Sequence, residues 1–92
     1  MTTHRYREID VTRVEYTNKS GQIVIRWNSP VFQGLRTKAH AHRAIDEFHE
    51  RESQIAHHDF KTFWRLVAQN GQIVRQFITR EEWSTIMQGV RP

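Results

Sequence analysis

The tetrapeptide Gly21-Gln22-Ile23-Val24 returns as Gly71-Gln72-Ile73-Val74, fifty residues later, and both copies sit between apolar alternating runs. Each is followed downstream by a threonine able to open a helix, Thr37 in the first case and Thr79 in the second. A short motif that recurs in the same context marks a repeated supersecondary unit. The spacing therefore predicts an α+β chain of duplicated ββα-ββα form, a four-stranded antiparallel sheet with two helices packed on one face. Unit one covers about residues 6–58 and unit two about 60–90, within a single domain 1–92.

Read in order, Ile9 and Val11 alternate with polar residues, and Val14 and Tyr16 alternate again with the phase slipped by one, the pattern of a β-bulge. Asn18-Lys19-Ser20-Gly21 is turn chemistry, and Ile23, Ile25 and Trp27 then mark a second strand. Asn28 to Leu35 has no counterpart in the second unit. An insertion carrying Pro30, Phe32, Gly34 and Leu35 in so short a chain reads as a flap over the core or an exposed contact loop.

Thr37 is placed as an N-cap, and Ala41, Ala44, Ile45, Phe48 and Ile55 follow at helical spacing, which predicts a helix from about Lys38 to about Ala56. Phe63 to Gln69 and Gln72 to Ile78 read as a hairpin around Asn70-Gly71, the strongest two-residue turn signal in the chain. Counting outward from that turn pairs Ala68 with Ile73, Leu66 with Arg75 and Trp64 with Phe77 on one predicted core face. Arg65 with Val67, Val74 and Gln76 falls on the other face, expected to be open, together with Val24 and Arg26 of the first hairpin. Thr79 with Glu82 forms a capping box, and Trp83, Ile86, Met87 and Val90 make the stripe of a short last helix ending near Gly89. Met1 to about Arg5 and the last few residues are expected to be disordered.

The chemistry on offer is limited. There are no cysteines, which excludes a disulfide framework and thiolate ligands and suits a reducing cytoplasm. No apolar run is long enough for a signal or membrane-spanning segment, so a cytoplasmic protein is expected. No Gly-rich phosphate loop or Gly-x-Ser-x-Gly turn is present, and the carboxylates Asp46, Glu47, Glu50 and Glu52 lie among arginines as a solvated helix face. An enzyme and a cofactor are not expected. Five of the six histidines fall between His40 and His58, but His40/His42 and His57/His58 are spaced for different helix faces, and only His42 with Asp46 sits at i,i+4. No metal site is read from them.

The charge is more informative. Fourteen Lys+Arg against ten Asp+Glu give a net +4, and eleven of the fourteen are arginine, whose planar fork suits phosphate and carboxylate. The candidate binding residues are Arg26 and Arg65 on the open sheet face, Arg36 and Lys38 at the helix start, Arg43 on the helix, and Arg75. Phe32 or Leu35 of the insertion would supply an apolar anchor. Arg75, on the predicted core face, reads either as a strand-edge side chain with a wet head or as a cation aimed at a partner. Trp27, Trp64 and Trp83 lie in phase with apolar neighbours and are expected in the core.

In size, lack of cysteine, basic charge and α+β make-up, the chain resembles small phage-encoded anti-CRISPR proteins directed against multisubunit RNA-guided complexes. The resemblance implies a stoichiometric inhibitor that touches protein subunits of a host nucleoprotein complex, and guide RNA or DNA phosphates, and so blocks target DNA. The alternative is a small nucleic-acid-binding regulatory protein, dimeric through a strand edge.

Overall fold

The computed structural model describes residues 1–90. Val90's side chain, expected at the end of the last apolar stripe, and the C-terminal residues 91–92 lie outside the described residues.

Three strands open the chain, β1 (Thr2–Tyr6), β2 (Ile9–Thr17) and β3 (Ile23–Asn28), followed by helix α1 (Lys38–Glu50). A 3-10 turn (Glu52–Gln54) leads into β4 (Ala56–His58), β5 (Phe63–Gln69), β6 (Gln72–Ile78) and helix α2 (Arg80–Val90). The strands form two antiparallel three-stranded sheets, ordered β1-β2-β3 and β4-β5-β6. This corrects both the predicted ββα-ββα duplication and the single four-stranded sheet with both helices on one face: each predicted hairpin is extended by a short strand into a sheet of its own, and the helices pack on different faces.

The missed strands have physical explanations. Thr2–Tyr6, expected to be disordered, is held by a two-residue hairpin in which Arg7 and Glu8 both have positive φ, 49° and 67°. That turn favours Asn and Gly, so nothing in Arg-Glu announces it. The first helix stops at Glu50 and not near Ala56, because Ser53 Oγ and Gln54 Nε2 donate to the carbonyl of His49 (2.7 and 3.2 Å) and satisfy the helix end. Ala56, His57 and His58 then pair with Arg65, Trp64 and Phe63 as β4. The phase slip in β2 is not a bulge, since its pairing with β1 and β3 runs without interruption. It is a change of buried face. Ile9 and Val11 point into the core, whereas Val14 and Tyr16 lie on the opposite face beside Arg26 and Val24, where the hairpin runs past the core.

Other local signals hold. The β5–β6 register pairs Ala68 with Ile73, Leu66 with Arg75 and Trp64 with Phe77. Thr37 Oγ1 accepts the His40 N–H (3.1 Å), and Thr79 and Glu82 exchange the capping-box bonds (3.1 and 3.4 Å).

The core is small. Ile9, Val11, Ala41, Ile45 and Phe48 are buried, with Tyr6, Trp27, Val31, Leu35, Leu66, Ala68 and Ile73 packed around them. Helix α1 thus lies over the Ile9/Val11 face of the first sheet and also meets the Leu66/Ala68/Ile73 end of the second. Helix α2 packs on β4 and β5 from the other side, where Trp83 meets Phe63 and His58. The molecule measures 55 × 26 × 22 Å, with a radius of gyration of 16.7 Å. A compact chain of this length would have about 12 Å, so the β2–β3 hairpin stands out as an arm.

The sheets are joined at Gly71. Its N–H donates to the carbonyl of Glu8 (3.0 Å) and its carbonyl accepts from the N–H of Asp10 (2.8 Å), which bridges the β5–β6 turn to the start of β2. Gly71 has φ +83° and a Cβ there would fall inside the Asp10 carboxylate, whereas Gly21, with φ +81°, has open space around it. Gly21→Ala should therefore cost only the left-handed backbone term, about 1–2 kcal/mol. Gly71→Ala should in addition displace the Asp10 carboxylate and break its Arg5 pair, and so cost more than Gly21→Ala, about 2–3 kcal/mol. Urea denaturation of the two variants measures the difference, and equal losses would remove the junction from its keystone role.

Candidate functional site

The register of β1 on β2 pairs His4 with Val11 and Tyr6 with Ile9, so both aromatic side chains lie on the face that α1 covers. One turn of α1 presents His42 and Asp46 to them. Tyr6 stacks on His42, with ring centroids 3.8 Å apart and planes within 3°. His4 Nε2 and His42 Nε2 are 2.8 Å apart, a hydrogen bond that holds one proton between two imidazoles. Tyr6 donates its hydroxyl proton to Asp46 (2.9 Å), Arg7 pairs with the same carboxylate (2.9 Å), and His49 Nε2 lies 3.0 Å from the Arg7 carbonyl.

Three groups of the cluster, His42, Asp46 and Tyr6, are shifted by this arrangement. Burial against the strand holds His42 below its ordinary 6.5, with His4 and Lys38 adding to the effect and Asp46 opposing it. The Arg7 hydrogen bond, followed by that of Tyr6, holds Asp46 below the usual carboxylate value. The bond to Asp46 in turn raises Tyr6. Among the described residues no hydroxyl is hydrogen-bonded to these imidazoles, and no three His, Asp or Glu side chains converge as metal ligands. The cluster latches the edge strand β1 to α1. Sequence reasoning paired His42 with Asp46 but missed Arg7 and also His4 and Tyr6, whose alternation in Thr3-His4-Arg5-Tyr6 was the only signal available.

The sequence-predicted binding residues are distributed over several surfaces. Arg36, Lys38 and Arg43 are exposed around the start of α1. Phe32 is 57% exposed and lines a hollow with Ala44, Glu47 and Arg51 of the helix end. Leu35 instead packs against the core, with its backbone bonded to Trp27 (2.8 and 3.1 Å). The insertion is an ordered turn in which Ser29 Oγ accepts from the Val31 and Phe32 amides. Arg26 is half-buried on the outer face of the first sheet and donates to the Ile25 carbonyl (2.8 Å). Arg65 is not on an open face: it lines a hollow of about 610 Å³ with Arg51, Ile55 and Ile86, against α2, and its Nε is buried without a hydrogen-bond partner.

Arg75 is exposed, and its guanidinium carbon sits 4.6 Å from the Trp64 ring centroid. The face it shares with Trp64 and Phe77 is core only at its Leu66, Ala68 and Ile73 end. Beyond α1 that face opens, and Phe77 is 68% exposed. Trp64 therefore lies outside the core in which the sequence placed it.

Compared with family models, curated proteins and solved structures, the chain matches none. The residues themselves must carry the functional reading.

The latch predicts a defined pH response. Because the folded state lowers His42, its contribution is present above pH 6.5 and is lost as the pH falls through the depressed value. Asp46 adds a second loss, as the pH falls below 3.8 through its own lowered value. Tyr6 acts at the alkaline end, where stability falls above pH 10.0. The thermal midpoint, followed by circular dichroism, should therefore drop between about pH 7 and 5. His42→Phe keeps a ring on Tyr6 and removes the titration, so its profile should be flatter in that range. An identical slope in this variant would place the acid response elsewhere.

Proposed function

We propose that the chain is a non-catalytic binding protein that docks on a nucleoprotein partner through arginine-rich surfaces and blocks access to it. One observation carries this reading. Among the described residues the ion pairs engage only the N-terminal arginines, Arg5 with Asp10, Arg7 with Asp46 and Arg13 with Glu15. Arg36, Lys38 and Arg43 stand exposed around the start of α1 with no ion-pair partner among the described residues, and the exposed Phe32 lies toward the other end of the same helix, beside Ala44, Glu47 and Arg51. Unpaired cations at one end of a helix suit an anionic surface, where charge speeds encounter, and a separate exposed ring can anchor the contact once it is desolvated.

The resemblance to anti-CRISPR proteins supplies the partner class, a multisubunit RNA-guided complex whose protein subunits and guide RNA or target DNA phosphates would be touched. A cytoplasmic site of action follows from that reading. Among the described residues no helix is long and apolar enough to cross a membrane. A second reading, a nucleic-acid-binding regulatory protein, is favoured by the aromatic rings displayed on the open end of the second sheet.

Purified protein should co-elute with a guide-loaded RNA-guided complex and reduce its binding of labelled target DNA in proportion to the protein added. The double variant Arg36→Glu/Lys38→Glu should weaken that effect by about tenfold or more, through charge reversal at the contact. Its thermal midpoint should stay nearly unchanged, because exposed substitutions seldom cost more than about 0.5 kcal/mol. Failure to co-elute with any member of a panel of such complexes would overturn the partner class. Undiminished inhibition by the double variant would remove the helix start from the interface.

A further inference from the structure

His57, Trp64 and Phe77 occupy directly opposed positions on three adjacent strands, β4, β5 and β6. Opposed residues project from the same side of a sheet, so three aromatic side chains form one row across the open end of the second sheet. His57 stacks on Trp64, with centroids 5.7 Å apart and planes at 20°. Arg75, one step along β6 on the same face, covers the Trp64 ring with its guanidinium at 4.6 Å. Phe77 is 68% exposed; Phe60, at the tip of the β4–β5 loop and 95% exposed, lines a hollow with His58, Phe63 and Trp83 on the α2 side and is not part of the row.

The β4–β5 loop is closed by a single carboxylate. Asp59 Oδ1 accepts from the amides of Lys61 and Thr62 (3.0 and 2.9 Å) and from the Thr62 hydroxyl (2.8 Å). This carboxylate, which lies within the electrostatic reach of Arg75, is thus already committed to internal donors. Arg75 and Lys61 remain available to an anion, and neither has an ion-pair partner among the described residues.

Exposed rings this size are costly to leave in water and do not form a deep groove that would take a small ligand. Flat rings in a row across a sheet, with a guanidinium plane among them and cations beside them, match the needs of unpaired bases and their phosphates. An acidic protein partner could also pair with Arg75, but a row of rings that continues in the plane of a guanidinium is matched more fully by a run of unpaired bases, which offers a flat face and a phosphate at every step. We infer that the His57–Trp64–Phe77 row with Arg75 is a stacking platform for single-stranded nucleic acid. One base lies on Phe77, a neighbouring base on the outward plane of the Arg75 guanidinium, and Lys61 and Arg75 meet the backbone. The inference rests on the nucleoprotein reading of the chain and locates its nucleic-acid contact away from the Arg36/Lys38 surface.

The test uses the whole protein and a fluorescein-labelled oligouridylate of about 12 nucleotides, within the span of a single stacking domain. Anisotropy should report binding that weakens with salt, and tryptophan emission should be quenched on titration. Phe77→Ala should weaken binding by about tenfold, the effect of removing one base-stacking ring. Arg75→Gln should lower the salt slope by roughly 0.7, one phosphate contact on a single strand. Both positions are exposed, so their thermal midpoints should match the parent. Trp64→Phe, which keeps a ring in the row, should retain binding and lose the quenching.

Equal affinity for a blunt duplex would overturn the platform, because paired bases offer no free faces. Binding of the single strand that Phe77→Ala and Arg75→Gln leave unchanged would overturn it too, while leaving nucleic-acid recognition to other arginines. Absence of any oligonucleotide binding would sink the platform alone, since co-elution with a nucleoprotein complex is read independently of it.

Discussion

Two main-chain hydrogen bonds at Gly71 hold the halves of this molecule together. The second hairpin offers its turn, not a strand edge, to the beginning of β2, and the N–H and carbonyl of one residue bracket Ile9 by bonding Glu8 and Asp10. Such a contact demands close backbone approach and a positive φ at once, and glycine alone meets both without strain. With the turn seated, Leu66, Ala68 and Ile73 reach the cluster built by Ile9, Val11, Ile45 and Phe48, and α1 acquires a partner on each side. The same tetrapeptide at Gly21 has no such duty. Its turn is closed by Asn18, whose side chain accepts the Ser20 and Gln22 amides, and it ends a free arm with Ile23 72% exposed.

The Arg7-Glu8 turn shows what the junction makes affordable. Two non-glycine residues at positive φ are disfavoured by about 1–2 kcal/mol each. They persist because their surroundings hold them from three directions: Gly71 N–H bonds the Glu8 carbonyl, His49 meets the Arg7 carbonyl, and Asp46 pairs with the Arg7 side chain. Without the second hairpin and α1 in place, a sequence such as Tyr-Arg-Glu-Ile has no local reason to reverse direction. Strand β1 is thus a product of tertiary contact.

That distinction separates what was legible in the sequence from what was not. Features whose cause lies within four or five residues were readable: the Asn70-Gly71 turn and its register, the Thr37 cap, and the Thr79/Glu82 box. Features whose cause lies elsewhere in the chain were not. β1 needs α1, some forty residues away at Tyr6 and Asp46; β4 needs the edge of β5; and the end of α1 is set by Ser53 and Gln54, while Ile55 keeps the helical spacing going. The alternation of Trp64, Leu66 and Ala68 was read as one buried face, but a periodic pattern cannot say how far along a strand the cover extends. Here the cover stops short. The exposed arginines were identifiable as a class, but their separation into paired and unpaired sets depended on folds that placed Asp10, Asp46 and Glu15 beside Arg5, Arg7 and Arg13.

This division of the positive charge has a direct consequence for where the molecule can act. The N-terminal arginines stabilise or steer their own turns and strands, so substituting them perturbs the fold as well as any contact. The later cations, from Arg36 onward, form no ion pair among the described residues, and one of them, Arg75, covers a ring that the small core did not absorb. Among the described residues only four large or medium apolar side chains, Ile9, Val11, Ile45 and Phe48, are fully interior, so the core is shallow. What it has in quantity is surface, elongated to 55 Å and carrying rings and guanidinium groups at separate places. On the proposed reading, an elongated body with cations at α1 and a ring-bearing sheet end would contact two features of one large partner at the same time, and effective concentration would then multiply two weak contacts into a strong one.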